Sequence, residues 1–241
     1  MAAAVSRSIV QSLKDFLFPP LCLSCRGRLC SADDHLCARC ARSLARVEAA
    51  DYTMAVLNSR YADSAVISSF YPLYYFEEDG VLQHVIHALK YEEMTALGER
   101  YGEAIGAALL AVPAYAGVSV IIPVPLHARK ERERGYNQSA CICTGIARVM
   151  RLPVASDVVF RQKNTRTQTK LSAAARLKNV RDAFAADPRG AKKIRGATVL
   201  LVDDVITTGA TIHACARTLR AAGAGEIVCA SIGIAKLHAG G

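Results

Sequence analysis

Val199-Leu200-Leu201-Val202-Asp203-Asp204-Val205-Ile206-Thr207-Thr208-Gly209-Ala210-Thr211 is the stretch from which the fold can be read outward. Its four leading apolar residues predict a strand buried on both faces, the kind found inside a parallel sheet. Two acids end the apolar run. Beyond the turn, Ile212, Cys215, Ala216, Leu219 and Ala222 recur at helical spacing until Gly223, which predicts a helix and its stop. A strand, a polar loop and a helix start in that order make an anion site, because the first N–H groups of a helix are unpaired and carry the positive end of its dipole. Gly209 allows close approach of the backbone, and the hydroxyls of Thr207, Thr208 and Thr211 add donors. Asp203 and Asp204 are acceptors suited to sugar hydroxyls or to a metal-bound sugar. The loop has neither the lysine of a P-loop nor the Gly-x-Gly-x-x-Gly of a dinucleotide fold.

Over its whole length this stretch resembles the 13-residue phosphoribosyl pyrophosphate (PRPP) motif of the type I phosphoribosyltransferases. The resemblance implies that Asp203 and Asp204 hold the ribose 2′- and 3′-hydroxyls. It also implies that the loop Thr207, Thr208, Gly209, Ala210 and Thr211 wraps the 5′-phosphate.

The 241 residues suffice for one medium domain and a small appendage, and a hydrophobic content of 52% argues for a folded chain. No uncharged apolar run is long enough to span a bilayer, so membrane insertion is not expected. In the opening MAAAVSRSIVQSLKDFLFPP, the charges of Arg7, Lys14 and Asp15 interrupt the apolar part, and a short amphipathic helix is expected instead of a signal peptide. Nine cysteines without an export signal point to a reducing, cytoplasmic setting. The formal charge of +9 is uneven, since residues 126–195 hold 17 Lys/Arg against 5 Asp/Glu. An anionic partner is implied, either a polyphosphate or a nucleic acid.

Cys22-x-x-Cys25, eleven residues and then Cys37-x-x-Cys40 suit four thiolates around one structural zinc. The intervening segment is polar and too short for a core, so the metal would fold it. Cys30 and His35 between the pairs are possible substitute ligands, read as spectators because the two Cys-x-x-Cys pairs already complete the shell. Arg26, Arg28, Arg39 and Arg42 give the knuckles a basic cast that could meet nucleic acid or merely keep the unit soluble. The expected organisation is a helix and zinc-finger module over residues 1–48 and an α/β parallel-sheet domain over 49–241.

Residues 41–63 read as a connector, 66–76 as a strand, 81–89 and 97–112 as helices, and 118–124 as a second buried strand closed by prolines. His84 and His87 on the first of these helices are not read as ligands. The stretch LHARKERERGYNQ is expected as a basic loop at the carboxyl end of a parallel strand, where such sheets bind ligands. Residues 139–150 then read as a helix, 153–160 as a third strand, and 161–184 as a long basic loop with a short helix over 172–180. Residues 226–234 form the last strand of a sheet of four or five.

Together these segments resemble the ComF family, competence-associated proteins with an N-terminal zinc finger and a type I phosphoribosyltransferase domain. The matching pieces are the two Cys pairs after Phe18-Pro19-Pro20, Leu89-Lys90-Tyr91, Pro123-Val124-Pro125-Leu126-His127 and Arg134-Gly135-Tyr136-Asn137-Gln138. Arg161, residues 165–168, Leu171, residues 176–180, Phe184 and the PRPP motif complete them. The resemblance implies PRPP and Mg²⁺ as ligands, reaction at the anomeric carbon and a role in uptake or processing of transforming DNA. Pro125, Leu126, His127, Arg129, Lys130 and Arg134, with Lys163, Arg166 and Lys170 on the long loop, are then the expected pyrophosphate-side groups. Thr207 stands where purine-salvage enzymes carry an Asp that serves the base, which disfavours a purine activated through that position. The acceptor is not legible. The alternatives are a non-catalytic adaptor that binds single-stranded DNA or the uptake machinery with PRPP as regulator, and a metabolic transferase resembling amidophosphoribosyltransferase.

Overall fold

The computed structural model describes residues 19–31, 34–48, 66–162 and 183–236. They form two compact units divided between Ala45 and Arg46. Just past that division the chain joins the edge of the main sheet: Arg46 bridges Tyr74, and Val47 N donates to Leu73 O at 3.3 Å. In the first unit one short helix, α1 (Ala38–Arg42), follows the second Cys pair. It includes the start of the segment expected as a connector; the remainder of that segment from residue 49, the N-terminal helix and the expected helix over 172–180 lie outside the described residues.

The second unit begins with β1 (Ser69–Phe76), followed by helices α2 (Val81–Tyr91) and α3 (Thr95–Leu109). Strand β2 (Val118–Pro123), α4 (Ala128–Arg134) and α5 (Gln138–Met150) come next. A hairpin-like pair, β3 (Val159–Arg161) and β4 (Phe184–Ala186), precedes β5 (Thr198–Ile206), α6 (Ala210–Ala221) and β6 (Glu226–Ala235). Four strands make the main sheet in the order β1-β6-β5-β2, and every pairing is parallel. The two central strands are those richest in Val, Leu and Ile, because helices on both faces exclude water from them. Val199, Leu200, Leu201 and Val202 are fully buried, as are residues 227–230 of β6. Helices α3 and α5 pack closely through Gly102 and Gly145, where an added Cβ would strike the facing backbone.

Three expectations change. The apolar run of β5 does not stop at the acids; the ladder continues through Asp203 opposite Ser231 to Ile206 opposite Ile234, because β6 offers backbone partners along its whole length. The basic stretch after β2 is a helix, α4, and not a loop. His127 caps it by accepting from Arg129 N at 3.2 Å, Arg129 pairs with Glu133 at 2.8 Å, and Gly135 ends it at φ 83°. Residues 153–160 do not add a strand to the main sheet. Val154 makes a single bridge to Ile121, a turn at Ser156 and Asp157 breaks the run, and Val159–Arg161 pairs antiparallel with Phe184–Ala186.

Candidate functional site

Parallel strands leave their carboxyl ends open for ligand between loops that feed the helices. At the end of β5 Asp204 is buried, only 4% exposed, and Lys90 Nζ from the last turn of α2 reaches its Oδ2 at 2.7 Å. Asp204 Oδ1 accepts from Val205 N at 2.7 Å. Asp203 Oδ1 accepts from Asp204 N at 2.9 Å and from Ser139 Oγ at 3.2 Å. Ser139 is placed by Asn137, whose Oδ1 caps α5 on Ser139 N at 3.0 Å while its Nδ2 donates to Val124 O at 3.0 Å. Val124 N in turn donates to Val202 O at 2.8 Å, extending the β2–β5 ladder to the level of the acids. One frame of backbone and side-chain bonds thus holds both carboxylates.

Burial pushes the Asp203 carboxyl up, and the neighbouring Asp204 charge adds to this, to about 7, against the opposing pull of Asp204 N–H, Lys90 and Ser139. A cation or a ring of hydroxyl donors beside Asp203 would favour its charged form. Past the acids Thr207 is exposed, Thr208 Oγ1 accepts from Ala210 N at 3.4 Å, and Gly209 begins α6 at φ 80°. Only glycine takes that backbone shape without strain.

Lys90, which reaches Asp204, also lines a cleft of about 310 Å³ with Lys130, Arg134, Tyr91, Glu93 and Glu133. The Lys130 ammonium is held below its usual range, first by burial and then by Arg161, Arg134 and Lys90, so these cations crowd one another. Arg161 lies over the Phe184 ring at 5.6 Å and within the field of Asp203. Of the residues expected on this side, Lys130 and Arg134 line the cleft, His127 caps α4, and Arg129 is taken up by Glu133 on the exposed face. Pro125 and Leu126 line a separate cleft of about 540 Å³ that also includes Arg161. Lys163, Arg166 and Lys170 lie outside the described residues. Sequence reasoning missed Lys90, Ser139 and Arg161 as site groups, although Lys90 and Arg161 stand inside quoted motifs. The available signal was a lone cation ending an amphipathic helix and a hydroxyl just after a cap.

In the first unit the Sγ atoms of Cys22, Cys25, Cys37 and Cys40 all lie within 4.8 Å of one another. Four thiolates on tetrahedral zinc stand about 3.8 Å apart, given Zn–S bonds of about 2.3 Å. Cys25 and Cys37 Sγ are 3.7 Å apart, so the residues fit the metal. Turns bring them there: Cys22 N donates to Gly27 O at 2.8 Å, Arg26 N to Cys22 O at 3.0 Å and Leu23 N to His35 O at 2.9 Å. Burial, then the sulfurs of Cys37, Cys25 and Cys22, push the Cys40 thiol up to about 11, a penalty that a bound dication would remove. Cys30 and His35 are not in the cluster. Cys143, Cys215 and Cys229 are buried in the sheet domain, with thiols pushed up by burial, and are packing residues.

Residues 139–239 match the family model for the phosphoribosyl transferase domain. Competence protein F of Haemophilus influenzae is 41% identical over 108 residues, which are 44% of this chain and 46% of that protein. DNA utilization protein YhgH of Shigella flexneri is 32% identical over 61% of this chain and 64% of its own length. Competence protein ComFC of Bacillus subtilis is 26% identical over 85% of this chain and 80% of its own. The chain thus spans between about half and two thirds of the first two relatives. Among solved structures, glutamine PRPP amidotransferase from B. subtilis matches at 21% identity and a TM-score of 0.40, over 61% of this chain and 30% of that one. The chain thus combines a parallel sheet ending in an acid pair and a glycine-started helix, a four-cysteine cluster earlier in the sequence, a match to the phosphoribosyl transferase domain over residues 139–239, and similarity to competence proteins F and ComFC.

Proposed function

We propose that the sheet domain binds PRPP with Mg²⁺ and transfers its phosphoribosyl group. The observation that carries this reading is the opposition of two charge types across one strand end: Asp203 and Asp204 with the Thr207–Thr211 loop on one side, and Lys90, Lys130 and Arg134 on the other. Only a ligand with a diol between two phosphorylated ends uses all of it. The ribose hydroxyls donate to Asp203 and Asp204, the 5′-phosphate accepts from the backbone N–H groups that begin α6, and the pyrophosphate lies among the cations.

The donor set fits Mg²⁺, which favours one or two carboxylates together with substrate phosphates. Asp203 and Asp204 would hold it with the pyrophosphate oxygens, and when bound it supplies charge neutralisation of the leaving group. The chain's own contribution is electrostatic: Lys130 and Arg134 are fixed where negative charge develops as the anomeric C–O bond breaks. Asp203 must give up its proton for the ligand to bind. Calorimetry with Mg²⁺ and PRPP, in buffers of different ionisation enthalpy, should show binding with proton release near pH 7. The double variant Asp203→Ala, Asp204→Ala should show none, and equal binding by that variant would end the proposal.

Zinc in the Cys22, Cys25, Cys37 and Cys40 shell is structural, since four thiolates leave no open position. We place the protein's role in the use or uptake of transforming DNA, in the cytoplasm. The names of the relatives, the basic character of residues 126–195 and nine free cysteines support this. No helix among the described residues is long and apolar enough to cross a membrane. Affinity for single-stranded DNA measured across a salt series tests the partner; a real phosphate-tracking surface loses affinity steeply as salt rises.

A further inference from the structure

Of the three cations that line the 310 Å³ cleft, Lys90 is the one that also reaches a carboxylate of the acid pair, with its Nζ 2.7 Å from Asp204 Oδ2. That oxygen is shut away from solvent, and among the described residues it receives no hydrogen bond of good geometry. Asp204 Oδ1, by contrast, accepts from Val205 N at 2.7 Å. Lys90 therefore holds Oδ2 by charge, without a directional bond. An ion pair of that kind can be exchanged for another cation, because electrostatics alone selects the partner.

The helix end that carries Lys90 is held on either side of it. The Tyr136 hydroxyl donates to Leu89 O, and the Arg134 guanidinium lies 5.4 Å from the centre of the Tyr91 ring. With the backbone of α2 fixed at Leu89 and Tyr91, the four-carbon stem of Lys90 is the part able to turn. Its side chain is 26% exposed against 6% for that of Asp204, so the ammonium stands between a buried acid and an open cleft.

A divalent metal that is to use Asp204 must take the place of this ammonium. Mg²⁺ gives up its water reluctantly, and the carboxylate it would meet is buried. The exchange also deprives Lys90 of its partner, which adds to the cost. Both costs are offset when a second anion receives the ammonium, and the cleft that Lys90 already lines is where the pyrophosphate has been placed.

We propose that Lys90 controls metal entry: it keeps free divalent cations off Asp204 and yields the carboxylate only when a pyrophosphate group enters the cleft and pairs with the ammonium. The proposal rests on the PRPP reading above and adds a requirement to it, that metal and pyrophosphate arrive together. No covalent bond changes. One ion pair becomes two, Asp204 with the metal and Lys90 with the pyrophosphate. Lys90 is on this account a specificity residue that tells a metal diphosphate from the bare metal, whereas Lys130 and Arg134 meet the leaving group.

Mn²⁺, whose free concentration is read by electron paramagnetic resonance, serves as the probe with the full zinc-loaded chain. Without PRPP, Lys90→Gln should bind Mn²⁺ at least about tenfold more tightly than the wild type, since a competing charge has gone. With PRPP present the sign reverses, and Lys90→Gln should bind the Mn²⁺ complex of PRPP at least about tenfold more weakly, for want of one charge-assisted contact. Lys90→Arg should behave as the wild type in both measurements. A side chain that only supports the fold would move the two affinities in the same direction. A readout on the wild-type chain needs no glutamine variant: the ammonium resonance of Lys90, assigned by its loss in Lys90→Arg, should stay in place with Mg²⁺ alone and shift when Mg²⁺ and PRPP are added together. Equal Mn²⁺ binding by wild type and Lys90→Gln, undiminished binding of the PRPP complex by Lys90→Gln, or a Lys90 resonance that Mg²⁺ alone displaces would each overturn the proposal. Failure of the wild-type chain to bind PRPP at all would instead remove the reading on which it rests.

Discussion

Along β5 and α6 every group assigned to the sugar and its 5′-phosphate sits within one short run of sequence, whereas the cations facing them, Lys90, Lys130, Arg134 and Arg161, come from α2, α4 and β3. The first half of the site is local: a strand end, a residue at φ 80° and a helix start would form in much the same way wherever that segment met a parallel sheet. The second half exists only because the sheet brings distant segments together, and the fold holds its like charges close. The difference shows that a motif can be complete in sequence while its counter-site is written nowhere contiguous. The four-cysteine cluster is the limiting case of assembly, two local knuckles whose sulfurs converge to within 4.8 Å of one another.

That limiting case predicts the largest effect. Zinc contributes on the order of 10 kcal/mol or more to small thiolate sites. Chelation should therefore unfold the cysteine unit while the sheet domain keeps its parallel-sheet circular dichroism and its PRPP affinity; loss of both together would show that the two are not separately stabilised. Next, Lys130→Ala with Arg134→Ala should cost at least about a hundredfold in PRPP and pyrophosphate affinity, from two charge-assisted contacts of about 1.5–3 kcal/mol each. Ribose 5-phosphate, which has no pyrophosphate, should bind as before. If its affinity fell equally, the division of the site into two halves would be wrong.

Gly209→Val probes the local half. A β-branched residue at φ 80° carries strain of about 1–3 kcal/mol, and the loop would lose roughly thirtyfold in affinity for PRPP and ribose 5-phosphate alike. Pyrophosphate alone should be spared. Calorimetry with the three ligands separates these outcomes.

Asp203→Asn sharpens the comparison through stability. The native carboxyl titrates near 7 and an unfolded Asp near about 3.9, so the folded chain binds the extra proton between those values. The associated stability is fully present below about pH 4 and lost as pH rises through about 7. Asn removes that loss, so the variant should gain up to about 4 kcal/mol over wild type at pH 8 and little at pH 4 in urea unfolding, while losing PRPP. The smallest effect is expected from Ser139→Ala. Removing a hydroxyl that favours the charged form moves the Asp203 midpoint higher, so PRPP affinity at pH 7 should fall about threefold and recover at pH 8.5.

Particular residues show why some of this was legible and some was not. The strand 199–202, the helix after Gly209 and the two Cys-x-x-Cys pairs are short-range patterns with a direct physical meaning, and each stands where it was expected. Residues 128–134 looked like a loop because they are wholly polar; the cap from His127 and the pair Arg129–Glu133 make them a helix all the same. Residues 153–160 have strand composition, but a turn at Ser156 and Asp157 and a distant partner in residues 184–186 set them apart from the main sheet.

By itself, then, the amino-acid order determined the buried parallel strand, the anion-ready turn behind its acid pair, the thiolate cluster and the basic cast of the middle of the chain. Each depends on neighbours within a few residues, or on spacing alone. Only the tertiary structure decided that Lys90 lies on Asp204, that Ser139 reaches Asp203, and that Lys90, Lys130 and Arg134 line one cleft. Those relations depend on which strands lie side by side, and the strand order β1-β6-β5-β2 is set by burying the two most apolar strands at the centre, away from any edge exposed to water.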